Sequence, residues 1–339
     1  VESPERVAAL RRFGYTQREA EFLELAVTHS GHFLRRQFNA FLGQPDGGAA
    51  DRFLRRAAER GHLRSRRIAK RTMLHHVSSY QLYRAIADPD CRHRRERALW
   101  AVRKKVMTLD YVLAHRGERF LATSAQKLAY LSGKLGLSPA CMPSKAYRGA
   151  GSDRLTRRHF VDRSPIHVPG DKSITPPVVS FCYVDDGLSL SGFKTYLDQY
   201  RSLLAGLDQF QIVVASPGEY RRSRAERVFR TFAASLKERR AEILVDLESK
   251  RLDYFRVRDA LERKDYRGIT KADLDRLRDL RNELESAEID AEYEAWRRDG
   301  GVSTPSLRLA IACAPIESPF DPAFSFCLLD HDYQQFFGV

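Results

Sequence analysis

The stretch AADRFLRRAAER, Ala49 to Arg60, decides how this chain is read. Phe53, Leu54 and Ala57 make an apolar stripe at helical spacing, while Arg52, Arg55, Arg56 and Arg60 line the outer face. Gly61 stops the helix. Upstream, Thr16 with Glu19 three residues on is a capping box. It opens a helix faced by Phe22, Leu23, Leu25 and Ala26 that ends near Ser30-Gly31. A second helix runs from about Leu34 to Leu42, with Phe38, Phe41 and Leu42 inward, and Gly43 and Pro45-Asp46-Gly47-Gly48 break it. Downstream, His62–Lys70 and Thr72–Ser78 read as two strands, and Tyr80–Ile86 as a short helix or strand.

Three short helices followed by a basic hairpin is the order of a winged helix-turn-helix, with Ala49–Arg60 as its recognition helix. Arg52, Arg55 and Arg56 fall on one side of it and can point into a groove together. Arg64, Arg66, Arg67, Lys70 and Arg71 fall where a wing meets phosphates or the minor groove, and Arg35 and Arg36 extend the basic set. The competing reading is the solvated face of a protein–protein module. His29, His32, His75 and His76 invite a metal reading, but no Cys or carboxylate stands beside them at zinc-finger spacing. Helix ends and a hairpin surface account for them, so no metal or cofactor is expected.

Charge points the same way. The chain carries +14 over 339 residues, unevenly. Residues 1–110 hold 23 Lys and Arg against 12 Asp and Glu, residues 111–235 hold 18 against 10, and residues 236–339 hold 17 against 22. A basic front on an acidic rear fits a polyanionic partner, most simply double-stranded DNA. Arginine suits bidentate phosphate and guanine contacts, although a GC-rich genome also inflates it. No run approaches the roughly 20 apolar residues that span a bilayer, and no membrane role is expected. Val1–Arg12 lacks the apolar core of a secretory signal. Cys91, Cys141, Cys182, Cys313 and Cys327 are scattered without a C-x-x-C pair, as expected for free thiols in a cytoplasmic protein.

Beyond a basic connector at Asp88–Arg97, Ala98–His115 and Thr123–Leu135 read as helices. Arg158–Asp162, Pro165–Val168 and Val178–Val184 follow as strands, then a helix at Gly192–Leu207 and a strand at Phe210–Ala215. That is the strand order of a restriction-endonuclease-like core, and of many α/β domains without such chemistry. A metal-dependent nuclease would use Asp162, Asp185, Asp186 and Lys194 around Mg²⁺. Yet Lys194 lies nine residues beyond Asp185, so the acid-x-Lys step is missing, and Asp185-Asp186-Gly187 reads as a turn. Neither a P-loop nor a G-x-S-x-G elbow is present.

Gly14–Glu19, Phe33–Gln37, Val178–Gly187, Gly192-Phe193 and Tyr196-Leu197 together resemble the replication-relaxation-type winged-helix proteins of plasmids and integrating conjugative elements. The resemblance covers roughly residues 13–235. It implies DNA binding in replication, mobilisation or regulation of a mobile element and transfers no catalytic residue.

From Arg221 to Arg263 there is neither Pro nor Gly. Phe229, Leu236, Ile243 and Val257 keep a seven-residue step in which Lys250 takes one slot. Ala233, Leu247, Tyr254 and Leu261 form a second seam, interrupted by Arg240. Asp265–Ile269 turns, Thr270 with Asp273 caps a return helix, and Leu277, Leu280, Leu284, Ala287 and Ala291 form its seam. The expected fold is therefore α+β: a winged helix at 1–88, a helical connector at 89–137, and an α/β domain at 138–220 and 302–339. An antiparallel coiled-coil hairpin at 221–301 is inserted in it. Leu307–Pro315 and Phe324–Leu329 return strands to the sheet. The expected function is non-catalytic, sequence-specific duplex binding. The alternatives are the nuclease, or an adaptor that recruits a protein, or a second copy, through the hairpin.

Overall fold

The computed structural model describes residues 3–44, 47–89, 91–148, 155–170, 178–187, 189–301 and 320–336. The chain is mixed α+β. Its first unit joins helices α1 (Ser3–Arg11), α2 (Gln17–His29), α3 (Arg35–Leu42), α4 (Gly48–Glu59) and α5 (Tyr80–Ala85) to a small antiparallel sheet. The sheet holds β1 (His32–Leu34), β2 (Leu63–Ala69) and β3 (Thr72–Val77) in the order β1-β3-β2. The Thr16–Glu19 capping box is in place: Glu19 N donates to Thr16 Oγ1 at 3.3 Å, and Thr16 N to Glu19 Oε2 at 2.9 Å. Aromatic rings fill the centre. Phe38 stacks on Phe53 at 4.4 Å, and Phe22 meets Phe33 and Phe38 edge-on at 5.1 and 4.9 Å. Gly31 ends α2 at φ +73°, where a Cβ would lie 2.6 Å from the His93 carbonyl oxygen.

Strand β1 departs from the sequence reading, which began a helix at Leu34. Three residues carry no periodicity of their own; pairing with β3, His32 opposite His76, makes them a strand.

The second unit is a five-stranded sheet, β10-β9-β8-β7-β4, built from β4 (Arg119–Phe120), β7 (Ile166–Val168), β8 (Val179–Val184), β9 (Gln209–Ser216) and β10 (Asp321–Leu328). Strands β8, β9 and β10 are parallel, while β7 and β4 run antiparallel. All six residues of β8 are buried because both faces are covered. Phe181, Phe210, Ile212 and Val214 pack with α8 (Ser191–Ala205) and the first half of α9 (Arg222–Glu262). Cys182, Val184, Val213 and Ala215 pack with Val102, Val106 and Tyr111 of α6 (Leu99–Ala114). Leu34 and Leu74 of the first unit join that second cluster, so α6 is a layer shared by both sheets.

Three expectations are corrected. The strand expected at Arg158–Asp162 is β6 (Leu155–His159), which pairs with β5 (Ser144–Arg148) in a separate ribbon, and β4 takes its place in the sheet. The helix expected over Thr123–Leu135 is α7 (Ser124–Leu128) followed by a π-helical turn at Ala129–Lys134. The third concerns the hairpin, where the buried positions Ala225, Phe229, Phe232 and Leu236 lie against the sheet and α8. Arg240, read as an interruption of the seam, pins α9 there: it donates to Ala205 O at 2.7 Å and pairs with Asp208 at 2.6 Å. Only the distal half, through Tyr254 and Phe255, packs on the return arm. That arm is broken at Glu285 into α10 (Lys271–Leu284) and α11 (Ala287–Arg298), because Ser286 caps a new helix. Ile289 and Tyr293, not Ala287 and Ala291, continue its buried face. The strand expected at Leu307–Pro315 lies outside the described residues. Among these residues, no helix is long and apolar enough to cross a membrane.

Candidate nucleic-acid interface

Helix α4 buries Ala50, Phe53 and Ala57 and turns Arg52 and Arg55 to solvent. Among the described residues, neither is ion-paired. The other two arginines of the expected recognition set are engaged. Arg56 binds Glu19 Oε2 at 3.0 Å, and Arg60 donates to Phe13 O while lying 5.4 Å over the Tyr15 ring. Tyr15 is itself held by a 2.7 Å hydrogen bond to His62, and burial pushes its phenol up to about 12. Arg56 and Arg60 thus fasten α4 to the turn before α2.

Arg64, Arg66 and Arg67 are exposed on β2, and Lys70 and Arg71 at the turn into β3. Strand β2 is the sheet edge, where charged side chains also prevent edge-to-edge pairing. Arg66 reaches the Arg97 carbonyl at 3.5 Å, linking β2 to the segment before α6. Arg35 pairs with Asp51 at 2.8 Å, with both side chains half-exposed. Arg36 is a different case. It grips Asp110 of α6 in a bidentate pair at 2.6 and 2.7 Å, and Tyr333 donates to the same carboxylate at 2.7 Å. Arg36 therefore ties α3 to α6 and the C-terminal segment, and its charge is matched by Asp110.

The nuclease candidates do not converge. Asp162 is exposed and accepts from Ser164 at 2.7 Å and Tyr200 at 3.1 Å. Asp185 is fully buried at the end of β8 and surrounded by donors: Gly187 N at 3.1 Å, Ser216 Oγ at 3.0 Å and Arg221 at 3.3 Å. The Asp186 carbonyl is held by Arg103, and Lys194 projects to solvent from α8. The histidines are not surface groups, contrary to expectation. His32 and His76 stack at 4.1 Å, and His75 Nδ1 meets Ser65 Oγ at 2.8 Å. Burial pulls His29 down to about 3, His32 to about 2 and His75 to about 4. Among the described residues, no three His, Cys, Asp or Glu side chains are grouped to hold a metal.

The sequence reading missed Asp110 and Arg163. A carboxylate amid Val106–Val112 on an apolar helix was the available signal, because a buried acid requires a cation. The chain matches no family model, no curated protein and no solved structure.

Proposed function

We propose that the first unit is a winged helix-turn-helix that binds double-stranded DNA, with α4 in the major groove and the β2–β3 hairpin as the wing. The observation that carries this reading is the pairing state of the arginines. Arg52 and Arg55 stand on the outer face of α4 without carboxylate partners among the described residues, above a helix fixed in place by Arg56 and Arg60. The element order α2-β1-α3-α4-β2-β3 with sheet order β1-β3-β2 supports it, since this topology leaves α4 and the hairpin on the surface. The resemblance to replication-relaxation-type proteins extends the proposal to replication, mobilisation or regulation of a mobile element.

The test is duplex binding across a salt series. Arg52→Ala with Arg55→Ala should cost about 1–3 kcal/mol for each base no longer read and erase sequence preference. Arg64→Ala with Arg67→Ala should weaken all sequences alike and lower the salt slope by about one for each phosphate no longer neutralised. Unchanged affinity and slope in both variants would end the reading.

A further inference from the structure

A cavity of about 230 Å³ lies between α6, the segment before it, and the loop that follows β6. Five cations line it, Arg92, Arg97, Lys104, Lys105 and Arg163, against one carboxylate, Asp162. Asp162 is turned to Ser164 and Tyr200. Lys105 meets only a ring nitrogen, His93 Nδ1 at 3.1 Å, and no carboxylate pairs with it among the described residues. Among the described residues, Arg163 commits only its Nη1, which donates to Cys91 Sγ at 2.7 Å and lies 3.7 Å from Asp88. Burial first of all, with Arg97 and Arg163 nearby, draws the Lys105 ammonium down to about 8. Like charges held together in a partly desolvated space repel unless an anion joins them.

Two further observations mark the place as built. His93 lines the cavity, is only 5% exposed, and its Nε2 has no hydrogen-bond partner. Arg163 stands at φ +54° and Phe160 at φ +50°, a backbone region that side chains other than glycine enter only at a cost. The strained turn carries the Arg163 guanidinium to the cavity wall.

We propose that this cavity is a phosphate-binding site, taking one phosphate group, free or at the end of a nucleic-acid strand. Arginine offers a planar fork to phosphate oxygens and lysine a point charge, and both kinds are here. The volume admits a phosphate and excludes a duplex. The site lies beside Arg66 through the Arg97 carbonyl, yet it does not depend on duplex binding by α4.

Inorganic phosphate titrated into the full chain should raise its melting temperature, while chloride at equal ionic strength should not. Arg97→Ala, on the exposed rim, should weaken phosphate binding about tenfold, and Lys105→Met should abolish it. Phosphorus-31 line broadening with the unaltered protein gives a readout that does not depend on how the variants fold. Arg52→Ala with Arg55→Ala should bind phosphate normally, which separates this site from the duplex interface. A 5′-phosphorylated oligonucleotide that binds better than its 5′-hydroxyl twin, with the advantage lost in Arg97→Ala, assigns the strand end as source. No such advantage, with phosphate still bound, assigns free phosphate. Equal responses to phosphate and chloride, or undiminished binding in both Arg97→Ala and Lys105→Met, would overturn the proposal.

Discussion

The first unit and the α9–α11 arm are both rich in arginine, and they use it in opposite ways. On the arm, most arginines are neutralised locally: Arg230 with Glu226, Arg251 with Glu248, Arg258 with Glu262 and Asp290, Arg263 with Asp259, and Arg281 with Glu285, while Arg224, Arg227, Arg256, Arg267 and Arg278 have no ion pair among the described residues. On α4 and β2, Arg52, Arg55, Arg64 and Arg67 have no such partner among the described residues. Inside, the first unit keeps uncharged histidines, whereas residues 222–298 contain none. Arginine count therefore does not mark a polyanion surface. The absence of carboxylates within reach does, because paired charges leave little field for a distant anion.

The largest expected effect is an acid sensitivity of the first unit that the arm does not share. His29, His32 and His75 have pKa values lowered by burial, so each takes up a proton on unfolding before it does so folded. Their stabilisation is complete above pH of about 6.5 and is lost as pH falls toward the folded values. Urea melts at pH 7.5 and pH 5 should differ on the order of 2 kcal/mol for each buried histidine. Trp296 fluorescence in a Trp100→Phe background should report a smaller change in the arm. A pH-independent first unit would dissolve half of the contrast.

Next comes the paired arginine that resembles its free neighbours in sequence. Asp110→Ala leaves Arg36 and Tyr333 without their acceptor. It should cost about 2–3 kcal/mol of stability in a denaturant melt, with duplex affinity per folded molecule unchanged. A selective loss of DNA binding would mean that Arg36 belongs to the interface after all.

A smaller change should sharpen the contrast in the other direction. Asp51→Asn releases Arg35 from its exposed pair and should improve duplex affinity by roughly 0.5–1 kcal/mol, read by fluorescence anisotropy at fixed salt. No gain would argue that Arg35 points away from the DNA. Smallest of all, Arg230→Ala and Arg263→Ala on the arm should each alter stability by under about 0.5 kcal/mol and leave duplex binding untouched. A clear drop in affinity there would make the arm part of the nucleic-acid surface.

Local signals in the sequence were reliable where neighbours along the chain sufficed to specify structure. The Thr16–Glu19 and Thr270–Asp273 caps each start a helix. The apolar stripe of α4 and the strands β2, β3, β8 and β9 lie within a residue or two of where patterning put them. Each of these depends on interactions a few residues apart, which composition and spacing encode directly.

Charge alone could not say which arginines are free. Arg36 and Arg52 look alike in sequence, but Asp110, 74 residues along the chain, holds the first. The seven-residue seam of α9 was equally legible and led to the wrong neighbour for its first half, because an apolar helical face fits a sheet as well as another helix. The long-range pairing of β10 with β9 and the packing of α8 decided it. Sequence by itself determined α2 and α4, the caps of α2 and α10, and the basic front. Tertiary structure decided the partners of the buried faces and of distant charges such as Arg36 with Asp110 and Arg240 with Asp208, because those partners are brought together only when the chain folds.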